Sequence, residues 1–94
     1  MQTNSDIAFA SADVRLPEGV DLHARPAADF VRAAMGFGAR IAVAANDREA
    51  DAKSLLSILA LGARRGTSLR LRAEGEDATT AIDALVATVA GLRE

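Results

Sequence analysis

The apolar residues of this chain change their spacing several times, and those changes limit the folds open to it more than any other feature. Ala10, Ala12, Val14 and Leu16 alternate with Ser11, Asp13 and Arg15. A two-residue period marks a strand with one face buried. Ile41, Val43 and Ala45 repeat the pattern, and so do Leu69, Leu71 and Ala73, with Arg70 and Arg72 on the other face. Between these stretches the period lengthens. Ala27, Phe30, Val31 and Ala34 stand at i, i+3, i+4 and i+7, as do Ile82, Leu85, Val86 and Val89. Each set forms one apolar stripe along a helix. Ile7 and Phe9 have the opposite parity to the first strand, which allows a bulge or a late start there.

Breakers separate these segments. Pro17, Glu18 and Gly19 stop the first strand, and the loop runs on to about His23. Pro26 falls in the first turn of the first helix, where a missing N–H costs nothing. Gly36 and Gly38 end that helix, and Asn46-Asp47 turns the second strand into a short third one, Arg48 to Ala52. Ser54 to Leu61 reads as a short helix, with Ser54 as its cap and Gly62 at its left-handed C-terminal position. Glu74 to Asp77 makes a turn, and Asp77 is expected to cap the last helix. The order is β-α-β-β-α-β-α, which in so short a chain favours one sheet with helices on one face. The 94 residues are expected to form a single domain, with residues 1–7 frayed.

Composition narrows the chemistry. Alanine supplies 22 residues, against three Phe and no Trp or Tyr, so the core must be aliphatic and closely packed. A net charge of −2 and the scarcity of aromatic rings argue against a nucleic-acid surface. The absence of Cys removes disulfide and thiolate chemistry and fits a reducing compartment. No apolar run approaches a membrane span, and Met-Gln-Thr-Asn-Ser-Asp lacks the build of a signal peptide. The expectation is a cytoplasmic monomer without membrane insertion.

The single histidine, His23, stands at a loop-to-helix junction ahead of Ala24, Arg25 and Pro26. A helix N-terminus offers free N–H groups and a partial positive charge, and it holds phosphate without a metal. Arg25 adds a guanidinium able to pair with phosphate oxygens. An imidazole in that setting can act as a nucleophile toward a phosphoryl donor. On spacing alone, capping or packing is the commoner role for such a histidine. The helix from Ser54 is the second distinctive segment. Leu55, Leu56, Ile58, Leu59 and Leu61 are apolar on nearly every side, more than a short helix can bury against one sheet. Leu55, Leu56 and Leu59 are therefore expected to be partly exposed and open to a partner, with Ile58 and Leu61 buried. Lys53, the only lysine, reads as a solvated flank.

Leu22-His23-Ala24-Arg25-Pro26-Ala27 resembles the active-site motif of the HPr family, the histidine-containing phosphocarriers of the bacterial phosphoenolpyruvate-dependent sugar phosphotransferase system. Ala52-Lys53-Ser54-Leu55-Leu56 with Leu61-Gly62 is similar to that family's regulatory-serine segment, and Ala73-Glu74-Gly75-Glu76-Asp77-Ala78 to the turn into its last helix. The motifs keep the family's order over about residues 11–93. The resemblance implies an α+β open-faced β-sandwich, a four-stranded antiparallel sheet with three helices on one face. It implies that Nδ1 of His23 accepts a phosphoryl group from phospho-enzyme I and passes it to IIA domains of sugar permeases. The protein would be a carrier without turnover of its own, with no cofactor and no metal. Arg25 would stabilise the phosphate, and the backbone N–H groups of Ala24 and Arg25 would complete the anion site. Ser54 would be a regulatory site for an HPr kinase/phosphorylase. Leu55, Leu56 and Leu59 would join the His-bearing helix in docking enzyme I and the IIA domains.

The chain departs from the family pattern in places. Val20-Asp21 lengthens the loop between Gly19 and Leu22, placing a carboxylate two residues before His23. There it raises the histidine pKa, repels phosphate or points away. Arg32 remains of the basic residues that often ring the site, while Met35 and Ser57 stand where the family often has Lys. Other readings stay open. One is a nitrogen-branch or fructose-specific HPr homologue with mainly regulatory output. Another is a non-catalytic protein-binding module, against which the presence of His23 argues. A turnover enzyme would need a second titratable group beside His23, and only Asp21 offers one.

Overall fold

A computed structural model describes residues 8–94, so the expected fraying of residues 1–7 lies outside the described residues. The elements are β1 (Ala8–Arg15), α1 (Ala24–Ala34), β2 (Arg40–Ala45), β3 (Arg48–Asp51), α2 (Leu55–Leu61), β4 (Ser68–Gly75) and α3 (Ala78–Ala90). The strands form one antiparallel sheet in the order β1-β4-β2-β3. Helices cover one face and leave the other open, which is the open-faced sandwich expected. β1 pairs with β4 continuously from Ala8↔Gly75 to Arg15↔Ser68. No bulge is needed for Phe9, because its parity places it on the open face, where it is exposed.

The inward residues of each strand and the stripes of α1 and α3 meet in one core. Leu16, Leu22, Phe30, Val43, Ile58, Leu69, Leu71, Leu85 and Val89 are fully buried there. In α3 the buried face is Ala78, Ala81, Ile82, Leu85 and Val89, and Val86 is only half-buried. The two alanines let α3 lie close to the sheet and draw the centre of its stripe away from Val86. Asn46 and Asp47 both have positive φ, 53° and 64°. That pair of left-handed residues gives the tight turn whose twist suits a hairpin.

Several local expectations are corrected. β4 runs on through Glu74 and Gly75, because Glu74 pairs with Phe9 on one side and Arg40 on the other. The strand therefore consumes half of the segment expected to turn. Asp77 stands at the N-cap of α3 without a capping bond. Its carboxylate instead accepts from the N–H groups of Gly38 and Ala39, both at 2.9 Å. Lys53 is no solvated flank, since its Nζ donates to the Phe37 carbonyl at 2.6 Å. Both side chains satisfy backbone groups of the α1–β2 connection, which has no ladder or helix of its own to do so.

On the open face Arg70 donates to both carboxylate oxygens of Asp13, at 2.8 and 3.1 Å, between residues directly opposite in the ladder. The bond and charge of Arg70 hold the Asp13 carboxyl below the usual carboxylate range. The stabilisation is thus present above the ordinary carboxylate pKa and is lost as pH falls through the lowered value. Arg72 on β4 makes a single contact with Glu49 on β3, reaching across the intervening β2. Exposed pairs of this kind contribute little.

Gly75 is the position where the backbone tolerates least. Its φ is +148°, and a Cβ there would stand 2.9 Å from the Ala39 Cα. Gly75→Ala is expected to cost about 1–3 kcal/mol, read as a lower urea midpoint at unchanged m. An unchanged midpoint would mean that the Ala39 backbone yields freely.

Candidate functional site at the start of the first helix

α1 begins at Ala24, with His23 as an extended N-cap (φ −147°, ψ 163°) whose side chain makes no capping bond. The His23 carbonyl accepts the Ala27 N–H at 3.3 Å, the first bond of the helix. Pro26 has no N–H, so Ala24 and Arg25 carry the donors of the first turn. Among the described residues neither donor has an acceptor. No acidic side chain stands in this turn, so the positive end of the helix is not offset from within.

Packing fixes the position of these groups. Leu22 is buried in front of His23, and Pro26 and Ala27 are buried behind, while His23, Ala24 and Arg25 are exposed. Arg25 makes no ion pair among the described residues, leaving its guanidinium free for an anion. Ala24 has φ +48°, in the left-handed region. A non-glycine residue there costs roughly 1–2 kcal/mol. The buried residues on either side hold that conformation in place, and it lets the chain pass from extended His23 into helical Arg25 within one residue.

Of the alternatives for Asp21, the structure takes the last. Its Oδ1 accepts the Arg65 N–H at 2.8 Å and approaches Arg65 Nε at 3.5 Å, turning the carboxylate toward the loop after α2. The Arg65 N–H above all, helped by the Arg65 and Arg64 charges, lowers the Asp21 carboxyl from the usual range. The Leu22 N–H donates to the Ala63 carbonyl at 3.0 Å, and Arg15 Nε to the Gly66 carbonyl at 3.1 Å. Arg64 and Arg65 thus stand beside the loop that carries His23. Sequence reasoning missed them, and the one available signal was an Arg-Arg pair directly after the helix-ending Gly62 and Ala63.

The remaining expected site residues lie elsewhere on the same helical layer. The Leu22–Ala63 bond joins the start of α1 to the end of α2, and the Lys53–Phe37 bond joins the end of α1 to the start of α2. The two helices therefore run in opposite senses. Ser54, Leu55 and Leu56 lie toward the other end of the pair from His23. Ser54 caps α2, its Oγ accepting the Ser57 N–H at 3.2 Å. Leu55 is 42% and Leu56 81% exposed, Leu59 is half-buried against the core, and Ile58 and Leu61 are buried. Met35, at the end of α1, adds a further exposed apolar side chain at 64%.

These exposures separate surface from core within one short helix. Ile58→Ala is expected to cost about 2–5 kcal/mol of folding free energy. Leu56→Ala is expected to stay within about 0.5 kcal/mol of the parent. Urea unfolding of both variants checks the contrast, and a large loss in Leu56→Ala would make that residue part of the core.

Residues 10–91 match the family described as PTS HPr component phosphorylation site. The phosphocarrier protein HPr of Haemophilus influenzae is 40% identical over 79 residues, covering 84% of this chain and 93% of that protein. A multiphosphoryl transfer protein of Xanthomonas campestris is 44% identical over 79 residues, and the matched segment spans only 9% of its length. The solved HPr of Bacillus anthracis has a TM-score of 0.82 and 35% identity, over 87% of this chain and 98% of that one. Sequence and fold agree along nearly the whole described chain, and the protein belongs to the HPr family of phosphocarriers of the phosphotransferase system.

Proposed function

We propose that His23 is the residue that carries the phosphoryl group. The observation behind this reading is an exposed imidazole at a helix N-terminus, beside two N–H donors without acceptors and a guanidinium without an ion pair among the described residues. Nδ1 would form a P–N bond while the donor's bond to phosphorus breaks, the electron pair leaving with the donor group. The phosphoryl oxygens would lie against the N–H groups of Ala24 and Arg25, with the Arg25 side chain closing over them. Transfer onward reverses the step, with the acceptor's nucleophile displacing Nδ1.

The chain works with other phosphotransfer proteins. The donor in this reading is phospho-enzyme I, and the acceptors are IIA domains of sugar permeases. The apolar surface of Met35, Leu55 and Leu56, with Leu59 at its base, fits docking of such partners. Ser54 is the candidate for regulatory phosphorylation by an HPr kinase/phosphorylase, because its hydroxyl already stands at the start of α2. Among the described residues no helix is long and apolar enough to cross a membrane, which fits a cytoplasmic, monomeric carrier.

Incubation with phosphoenolpyruvate and enzyme I is expected to add one acid-labile, alkali-stable phosphate, lost in His23→Ala. Label that persists in this variant would sink the assignment. Arg25→Ala is expected to fold like the parent, because the side chain is exposed. Its phosphoryl transfer is expected to lose about 1.5–3 kcal/mol of transition-state stabilisation, the scale of a charge-assisted contact. Parent-like rates would mean that the backbone donors suffice.

A further inference from the structure

Asp21 lies in the loop that leads into His23, and nearly every polar group it has is used. Its backbone N–H meets Oε2 of Glu94 at 3.4 Å. Its carbonyl accepts the His23 N–H at 2.9 Å. Its carboxylate takes the Arg65 N–H at 2.8 Å, with Arg65 Nε at 3.5 Å. One residue thus ties together the His23 loop, the loop after α2 and the last residue of the chain. The next residue, Leu22, repeats the attachment through its N–H on the Ala63 carbonyl and a side chain only 1% exposed.

A loop has conformations to lose before its nucleophile is placed. An anchor beside His23 limits that search, and orientation of a nucleophile is worth orders of magnitude in rate. The same carboxylate stands two residues from the attacking nitrogen, where a free negative charge would oppose an incoming phosphoryl group. Its commitment to Arg65, with Arg64 nearby, answers that charge.

We propose that Asp21 is a positioning residue for phosphoryl transfer in this chain, fastening the His23 loop to the backbone of the loop after α2 while its charge is neutralised there. The proposal rests on the reading of His23 as the phosphoryl carrier. It goes beyond that reading by assigning a task to Asp21.

Two substitutions separate the fastening from the charge. Asp21→Asn keeps an oxygen able to accept the Arg65 N–H and removes the charge. Asp21→Ala removes both. With phosphoenolpyruvate and enzyme I, Asp21→Ala is expected to lower kcat about tenfold at a KM within about twofold of the parent. Asp21→Asn is expected to restore kcat to the parent value or above it. Amide hydrogen exchange at Leu22 and His23 is expected to quicken in Asp21→Ala and not in Asp21→Asn, with the α3 amides unchanged. Parent-like kcat in Asp21→Ala, or equal losses in both variants, would overturn the proposal. So would a fall in kcat accompanied by a melting point lowered by more than several degrees, which would mark Asp21 as a general stabiliser. A parent protein that takes no label would instead defeat the His23 reading itself.

Discussion

A core built from aliphatic side chains and alanine closes only if its helices lie close to the sheet, and most of this structure follows from that requirement. Phe30 is the one aromatic side chain at the centre, fully buried, and the surrounding contacts come from Leu, Ile and Val with small residues between them. Ala27 and Ala34 on α1, Ala78 and Ala81 on α3, and Ala73 on β4 are buried at the points of approach. At such distances loss of a methylene or insertion of a methyl is felt directly. Gly75 against Ala39 is the extreme case, where two backbones meet. The consequence for chemistry is that α1 is held along its whole buried stripe. Its exposed N-terminus is therefore a fixed point from which an imidazole can be presented to another protein.

The residues around His23 act on that fixed point in complementary ways. Pro26 removes a donor from the first turn, so the free donors are narrowed to the N–H groups of Ala24 and Arg25. Ala24 adopts a conformation that costs roughly 1–2 kcal/mol for a side chain with Cβ. A strained residue persists only where its surroundings over-determine it. Here Leu22 on one side and Pro26 and Ala27 on the other are buried in the core that α1 requires. Folding energy from the aliphatic core is thus what holds these backbone donors in position.

Strands and helices were legible in the sequence because period and burial are the same fact seen twice. Ile41, Val43 and Ala45, or Ala27, Phe30, Val31 and Ala34, can be buried together only on a strand or a helix respectively. The placement of His23 and Arg25 at the start of a helix was legible because a helix N-terminus can be recognised from local signals. The groups that were misread or missed have partners far along the chain. Asp77 reaches Gly38 and Ala39, Lys53 reaches Phe37, and Asp21 reaches Arg65. A short polar side chain has several possible local bonds, and which one it makes depends on the loop that tertiary packing brings near. Asp77 could cap its own helix, but the unsatisfied N–H groups entering β2 lie within its reach and win. Val86 shows the same effect in the core. Its apolar character was visible, but the closeness that alanine allows decided which face of α3 is most deeply buried.

The opposite senses of α1 and α2 bear on how a regulatory charge at Ser54 would act. Ser54 stands at the end of the helix pair away from His23. Leu55 and Leu56, by contrast, follow Ser54 directly and expose apolar surface. A partner that covers them must also strip water from whatever Ser54 carries, and a phosphate resists that strongly. The α2 N-terminus would tolerate the same charge in the free protein, since its dipole favours an anion there. In the reading proposed above, modification at Ser54 would accordingly leave the fold in place and act on whether a partner docks.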